Sequence, residues 1–242
     1  KSGKRAVCAG PGNPPVVVDE TADIDQAGRD IVKGGSFDNN IVCTTEKETF
    51  VVELVGDALV KSMCAHGGIL INAWQLERLC KVIFDENRGP GKPGVMNKKF
   101  IGKNAAVLLK EIGLDAGPEV RQIVAVVDRN HPLIWSEQMM PIMPVCKVKS
   151  CDEAIDLAVQ AEHGFHHTAV MHSKNLDHLS RMARECNCSI FVKNGPCLSG
   201  LGYNGEGYCS FTIASPTGEG LTSPRSFSRI RRCTLVDSFR IV

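Results

Sequence analysis

Pro14-Pro15-Val16-Val17-Val18-Asp19-Glu20-Thr21-Ala22-Asp23-Ile24 reads as a buried strand entered from a rigid turn and followed at once by a helix start. Thr21-Ala22-Asp23 supplies N-cap candidates, and Ile24, Ala27, Ile31 and Val32 recur at helical spacing, so a helix should run to about Phe37. The same alternation continues outward. Residues 48–53 suit a strand and 54–66 a helix; residues 73–84 place Leu76, Leu79, Val82 and Ile83 on one helical face. The Gly- and Pro-rich run 87–94 can only be a loop. Helices are expected at 103–112, 152–162 and 175–186, and strands at 121–127, 144–148, 167–172 and 189–192.

Strands alternating with helices of this length define an α/β fold, a largely parallel sheet covered by helices. After Asn194 the pattern turns to Gly-rich loops with short β segments at 211–214 and 232–236. No internal repeat or low-complexity linker divides the chain, so residues 1–242 are expected to form one domain with an irregular C-terminal part.

Composition narrows the function classes. With 28 Lys+Arg against 27 Asp+Glu, the net charge of +1 provides no global field for nucleic acid or an anionic membrane. The basic run 225–232 is interrupted by Phe227 and Ile230 and reads as an exposed strand face. No apolar stretch reaches the roughly 18 residues of a membrane span, and the N-terminus does not lead into a signal-peptide core. The chain should be soluble. Eleven cysteines, an odd number without a C-x-x-C pair, argue against a disulfide framework or a structural zinc knuckle and for a reducing, cytosolic compartment.

Chemistry concentrates at Ser36-Phe37-Asp38-Asn39-Asn40-Ile41-Val42-Cys43-Thr44-Thr45-Glu46-Lys47, which sets one thiol in a polar, amide-rich loop between a helix and a strand. A nucleophilic cysteine needs thiolate character, access, and a donor for the oxyanion formed on a carbonyl. Cys43 suits the first two; spacing alone leaves a spectator thiol equally open, because no base lies nearby in sequence.

Five histidines fall between 163 and 178: His163, His166, His167, His172 and His178. On a strand His166 and His172 share one face and His167 the other, so no metal site is expected; a pocket mouth or plain packing explains them. Gly200-Leu201-Gly202-Tyr203-Asn204-Gly205 matches G-x-G-x-x-G, yet it leads into β-like residues rather than opening a helix, so it reads as an active-site or surface loop. In Ser136-Glu137-Gln138-Met139-Met140-Pro141-Ile142-Met143-Pro144, the Glu137 carboxylate either accepts from ribose hydroxyls or is a turn acid beside a Met-filled core.

These pieces together resemble the catalytic half of the aldehyde dehydrogenase superfamily, and more closely its coenzyme A-acylating propionaldehyde and acetaldehyde dehydrogenases of bacterial microcompartments. The likeness is carried by residues 9–23, the loop 37–43, residues 137–144, His166-His167-Thr168-Ala169, Phe191-Val192-Lys193-Asn194-Gly195-Pro196, Pro216-Thr217-Gly218-Glu219-Gly220 and the closing Asp237-Ser238-Phe239-Arg240-Ile241-Val242. The resemblance implies that Cys43 is the nucleophile, forming a thioester that is released by the thiol of coenzyme A after hydride passes to NAD. It places Glu137 where the family's Glu-x-Phe-Gly-Pro acid touches the nicotinamide ribose, although Met139-Met140-Pro141 replaces Phe-Gly-Pro here.

Hydrolytic relatives carry a general-base Glu ahead of this strand; counting back from Pro15, that position is Ala9, which cannot activate water. A Rossmann-type NAD-binding domain, a dimerisation hairpin and an N-terminal targeting segment are implied to lie outside these residues. So are a homo-oligomeric parent, a cytoplasmic or microcompartment-lumen location and a shell partner bound through that segment. The chain is then expected to be an isolated catalytic portion that binds NAD weakly and turns over poorly.

Overall fold

A seven-stranded, wholly parallel sheet forms the centre of the molecule. The computed structural model describes residues 3–237; Lys1-Ser2 and the closing Ser238-Phe239-Arg240-Ile241-Val242, quoted above for the resemblance, lie outside the described residues.

In chain order the elements are β1 (Pro15–Val18), α1 (Ile24–Gly35), β2 (Glu48–Val52), α2 (Glu53–Ala65), β3 (Gly68–Ile71), α3 (Ala73–Ile83), β4 (Phe84–Glu86), β5 (Val95–Met96) and α4 (Ala105–Glu111). They continue with β6 (Gln122–Val127), β7 (Ile142–Val148), α5 (Cys151–Ala161), β8 (Thr168–His172), α6 (Leu176–Cys186), β9 (Ile190–Lys193), β10 (Ile213–Ala214) and β11 (Gly220–Leu221). The sheet order is β3-β6-β7-β2-β1-β8-β9; β4–β5 and β10–β11 are separate antiparallel pairs.

β1 is central because all four of its residues are buried, as its valine run requires of a strand covered on both faces. Val16 and Val18 meet Ala27, Ile31, Leu59 and Met63 of α1 and α2. Val17 points the other way, with Phe50, into Ala154, Ile155 and Ala158 of α5 and Met182 of α6. A third cluster packs α3 and α4 on the β3–β6 end through Leu79, Ile83, Leu108, Leu109 and Ile123. Asp23 caps α1, its side chain accepting from the Gln26 N–H, and the helix stops at Gly34-Gly35, two residues short of expectation.

Three expectations change. β3 is not apparent from the sequence: of Gly68-Ile69-Leu70-Ile71 only Ile71 is buried, as suits the edge strand of a sheet. Residues 232–236 form no strand; Leu235 and Val236 are 58% and 84% exposed, with no partner strand to cover them. The basic run 225–232 is exposed as expected, but it is a 3-10 turn at Pro224–Phe227 and then irregular chain, not a strand face.

Candidate active site

The residues singled out for chemistry converge on the amino ends of four adjacent strands, β7, β2, β1 and β8. Gly12 and Asn13 precede β1, Cys43 to Lys47 precede β2, Glu137 and Gln138 precede β7, and His167 precedes β8. Open α/β sheets more often bind ligands at carboxyl ends. Here the C-terminus of α1 faces the site, so the fixed partial charge at this edge is negative and favours a cation.

Asp38, Asn39 and Asn40 take φ values of 47°, 52° and 64°, three consecutive left-handed residues that end two residues before the thiol is reached. Asp and Asn tolerate this region better than other side-chain-bearing residues. Their side chains then hold the turn. Asn39 Nδ2 donates to the Gly102 carbonyl and to Asn104 Oδ1 at 3.0 and 2.7 Å. Asn40 Nδ2 donates to the Gly35 carbonyl that ends α1 and to the Glu46 carbonyl, at 2.7 and 2.8 Å. Asn40→Ala should cost about 2–4 kcal/mol in denaturant unfolding, because it removes these bonds and forces alanine into a left-handed conformation.

Cys43 is half-buried in the loop that follows. Burial raises its thiol above the ordinary value and the Glu137 charge adds to this; Lys47 and the N–H groups of Cys43 and Thr44 act in the opposite direction. Glu137 is itself raised by burial, against the Lys47 charge and the Gly12 N–H, which donates to Oε1 at 3.4 Å. Glu137→Gln should therefore quicken iodoacetamide alkylation of Cys43 at neutral pH by about three- to tenfold, since it removes a charge that opposes thiolate. An unchanged or slower rate would show that the two groups do not communicate.

Gly12 binds the site together. A Cβ there would lie 2.6 Å from the Cys43 carbonyl oxygen and 3.1 Å from the His167 ring, so only glycine lets the nucleophile loop and the imidazole approach on either side of β1. His167 is buried; its Nδ1 pairs with Thr168 Oγ1 at 2.9 Å, while its Nε2 is buried without a partner. Burial, reinforced by Lys47, pushes His167 down to about 4, so the ring is neutral at pH 7. In the sequence His167 belongs both to the histidine cluster and to the 166–169 stretch that carries the resemblance, with no role attached; the Thr hydroxyl beside it at a strand start is the local signal available.

The remaining histidines disperse. His166 sits at φ 53° on an exposed turn before β8, not on the strand, so it shares no face with the buried His172. His163 lines a cavity of about 580 Å³ with Pro11, Asn13, Met96, Trp135, Glu137 and Phe165. His178 lies at the opposite edge of the sheet, where Asp19, Cys151 and His178 bring ligand-type atoms within 4.8 Å. There Asp19 already accepts from Thr21 N and Oγ1, Ser173 Oγ and His178 Nδ1, a network closed without an ion. The 200–205 glycine run begins inside a 3-10 turn (Cys197–Leu201), leaves it at Gly202 with φ +100°, and opens no α-helix. Ala9 is exposed on the segment leading into β1. All eleven cysteines are free thiols.

A parallel sheet with covering helices thus presents a loop thiol at its amino edge, beside a carboxylate and a neutral imidazole. Residues 100–205 match the model of the Aldehyde dehydrogenase family. The chain is 49% identical over 239 residues to the acetaldehyde dehydrogenase (acetylating) EutE of Salmonella typhimurium, covering 99% of this chain and 51% of that protein. It is 44% identical over 242 residues to the propanal dehydrogenase (CoA-propanoylating) of Citrobacter freundii, covering 100% of this chain and 51% of that one.

Among solved structures, the Rhodopseudomonas palustris propionaldehyde dehydrogenase with bound propionyl-CoA superposes with a TM-score of 0.92 at 46% identity, over 97% of this chain and 51% of that one. The same enzyme has been solved with bound CoA and an acylated cysteine, at a TM-score of 0.92 and 45% identity, over 97% of this chain and 52% of that one. Over nearly its whole length the chain is similar to members of the aldehyde dehydrogenase family, and the relatives named here are acetylating or CoA-propanoylating enzymes. It spans about half the length of the curated relatives it matches.

Proposed function

We propose that this chain is the nucleophile-bearing catalytic domain of a CoA-acylating aldehyde dehydrogenase acting on a short-chain aldehyde. Cys43 is the acyl carrier and Glu137 the contact to the nicotinamide end of the dinucleotide. The observation that carries this reading is the convergence of Cys43, Glu137 and His167 around Gly12 at one edge of the sheet.

Cys43 Sγ attacks the aldehyde carbon, forming a C–S bond and an oxyanion on the former carbonyl oxygen; the Cys43 and Thr44 N–H groups that favour the thiolate are donors available on this loop. A dinucleotide held beside Glu137 would supply the hydride acceptor for oxidation at the carbon bonded to Cys43 Sγ, the step that leaves an acyl thioester on that sulfur. The coenzyme A sulfur, its proton released to solvent, displaces Cys43 from the acyl carbon as thiolate for thiolate, and neutral His167 adds no opposing charge or proton beside the site. The 580 Å³ cavity beside Glu137 suits the nicotinamide end. Among the described residues no Gly-rich turn opens a helix to cradle the pyrophosphate, which fits a cofactor domain supplied by another part of the protein. A homo-oligomeric parent and association with a microcompartment shell belong to the same proposal.

Ala9 separates this from hydrolytic oxidation: water has no carboxylate there to activate it. NADH formation from propanal by the protein that joins this domain to a cofactor domain should require coenzyme A. Equal rates without coenzyme A would favour the hydrolytic reading.

A further inference from the structure

The Lys47 ammonium is fully buried, and among the described residues no carboxylate forms a salt bridge with it. It instead donates to the nucleophile loop: to the Asn40 carbonyl at 2.8 Å, Asn40 Oδ1 at 2.7 Å, Thr45 Oγ1 at 2.9 Å and the Val42 carbonyl at 3.2 Å. Its own backbone is pinned as well, the N–H donating to the Pro14 carbonyl at 3.0 Å and the carbonyl accepting from Gln138 Nε2 at 3.0 Å. Lys47 therefore spans the starts of β1, β2 and β7 with its backbone and closes the 40–45 loop with its side chain.

The Val42 carbonyl and the Cys43 N–H belong to one planar trans peptide, so they point in opposite directions. Drawing the Val42 oxygen inward, toward Lys47 Nζ and the Thr45 N–H and hydroxyl, turns the Cys43 N–H outward to the side of its sulfur. The ammonium thus sets both the direction of a donor and the sign of the local charge.

We propose that Lys47 is a positioning residue for the nucleophile: its buried ammonium fixes the 42–43 peptide so that the Cys43 N–H faces the sulfur, and its charge limits how far burial and Glu137 disfavour the Cys43 thiolate. This rests on the reading of Cys43 as the acyl carrier. The ionisable groups that face the site from its surroundings are Cys43, Glu46 and Glu48 on its own segment, Glu137 ahead of β7, His167 ahead of β8 and Cys197 after β9. Lys47 is the one cation among them, and it opposes the rise of Cys43, Glu46, Glu48, Glu137 and Cys197.

The test is the pH dependence of Cys43 alkylation by iodoacetamide, read by peptide mass spectrometry with the exposed Cys8 and Cys209 as internal references. Lys47→Gln keeps an amide donor for the loop and removes the charge; Lys47→Met removes both; Lys47→Arg keeps the charge. The midpoint for Cys43 should move up by about one pH unit in Lys47→Gln and Lys47→Met, with about tenfold slower alkylation at pH 7.5, while Lys47→Arg recovers most of the rate. If Lys47→Met does not fold, Lys47→Gln gives the answer. A Cys43 midpoint unchanged against the references in Lys47→Gln, or equal rates for the Gln and Arg variants, overturns the proposal. Acyl transfer from propionyl-CoA to wild-type Cys43, measured alongside, reports separately on whether Cys43 is the acyl carrier.

Discussion

Cys43→Ser should lower acyl transfer from an acyl-CoA by at least about a thousandfold while moving the melting temperature by no more than about 2 °C. The substitution exchanges one atom in a half-buried loop position, so packing hardly changes. The chemistry changes greatly, because a serine hydroxyl has no comparable anion near neutral pH. The other thiols do not substitute. Burial pushes Cys80 and Cys151 up to about 12 and Cys146 up to about 11, and Cys197 is raised well above its ordinary value. Cys8, Cys209 and Cys233 are exposed and lie outside the convergence at Gly12. Residual transfer above that level would move the acyl carrier elsewhere.

The second large effect is on stability and depends on pH. Glu46 is fully buried behind the nucleophile; its Oε1 accepts from the Cys197 N–H at 2.7 Å, and its Oε2 is buried without a partner. Burial pushes its carboxyl from 4.5 up to about 7, against the Cys197 bond and the Lys47 charge. Below pH 4.5 the group is protonated in both states and costs nothing. As pH rises from 4.5 to 7 the unfolded chain releases this proton and the folded chain keeps it, so stability falls and the loss is complete above 7, about 3 kcal/mol by linkage. Glu46→Gln keeps an acceptor for Cys197 and does not titrate. Its melting temperature should exceed that of the wild type by about 5–10 °C at pH 8 and match it within a few degrees at pH 4.5. The same difference at both pH values would mean that the carboxyl is not raised in the fold.

Much of the architecture was legible because local signals agreed. The valine run of β1, the Asp23 cap and the Ala27/Ile31/Val32 stripe each follow from neighbours within a few residues, and α5 and α6 were equally readable. β3 was not, because four residues with one buried side chain carry no alternation that a helix end would lack. Residues 232–236 failed the other way: β-prone side chains form a strand only where another strand lies alongside.

Cys43 and Glu137 were found as separate candidates, 94 positions apart by their numbers, and nothing in either stretch says that Gly12 joins them. The Asn39-Asn40 pair was visible as a polar loop, but its left-handed turn emerges only from φ angles. Lys47 was least legible of all. A lysine in a loop ordinarily reads as solvated, and only the fold shows that its ammonium is buried among four loop oxygens.

The most direct measurement of the central claim is peptide mass spectrometry of the chain after incubation with acetyl-CoA or propionyl-CoA. The acyl group should move from the coenzyme A sulfur to the Cys43 sulfur, adding its mass to the peptide that carries Cys43 and freeing one equivalent of coenzyme A thiol. An unmodified Cys43, with the acyl group on another cysteine or on none, would contradict the account.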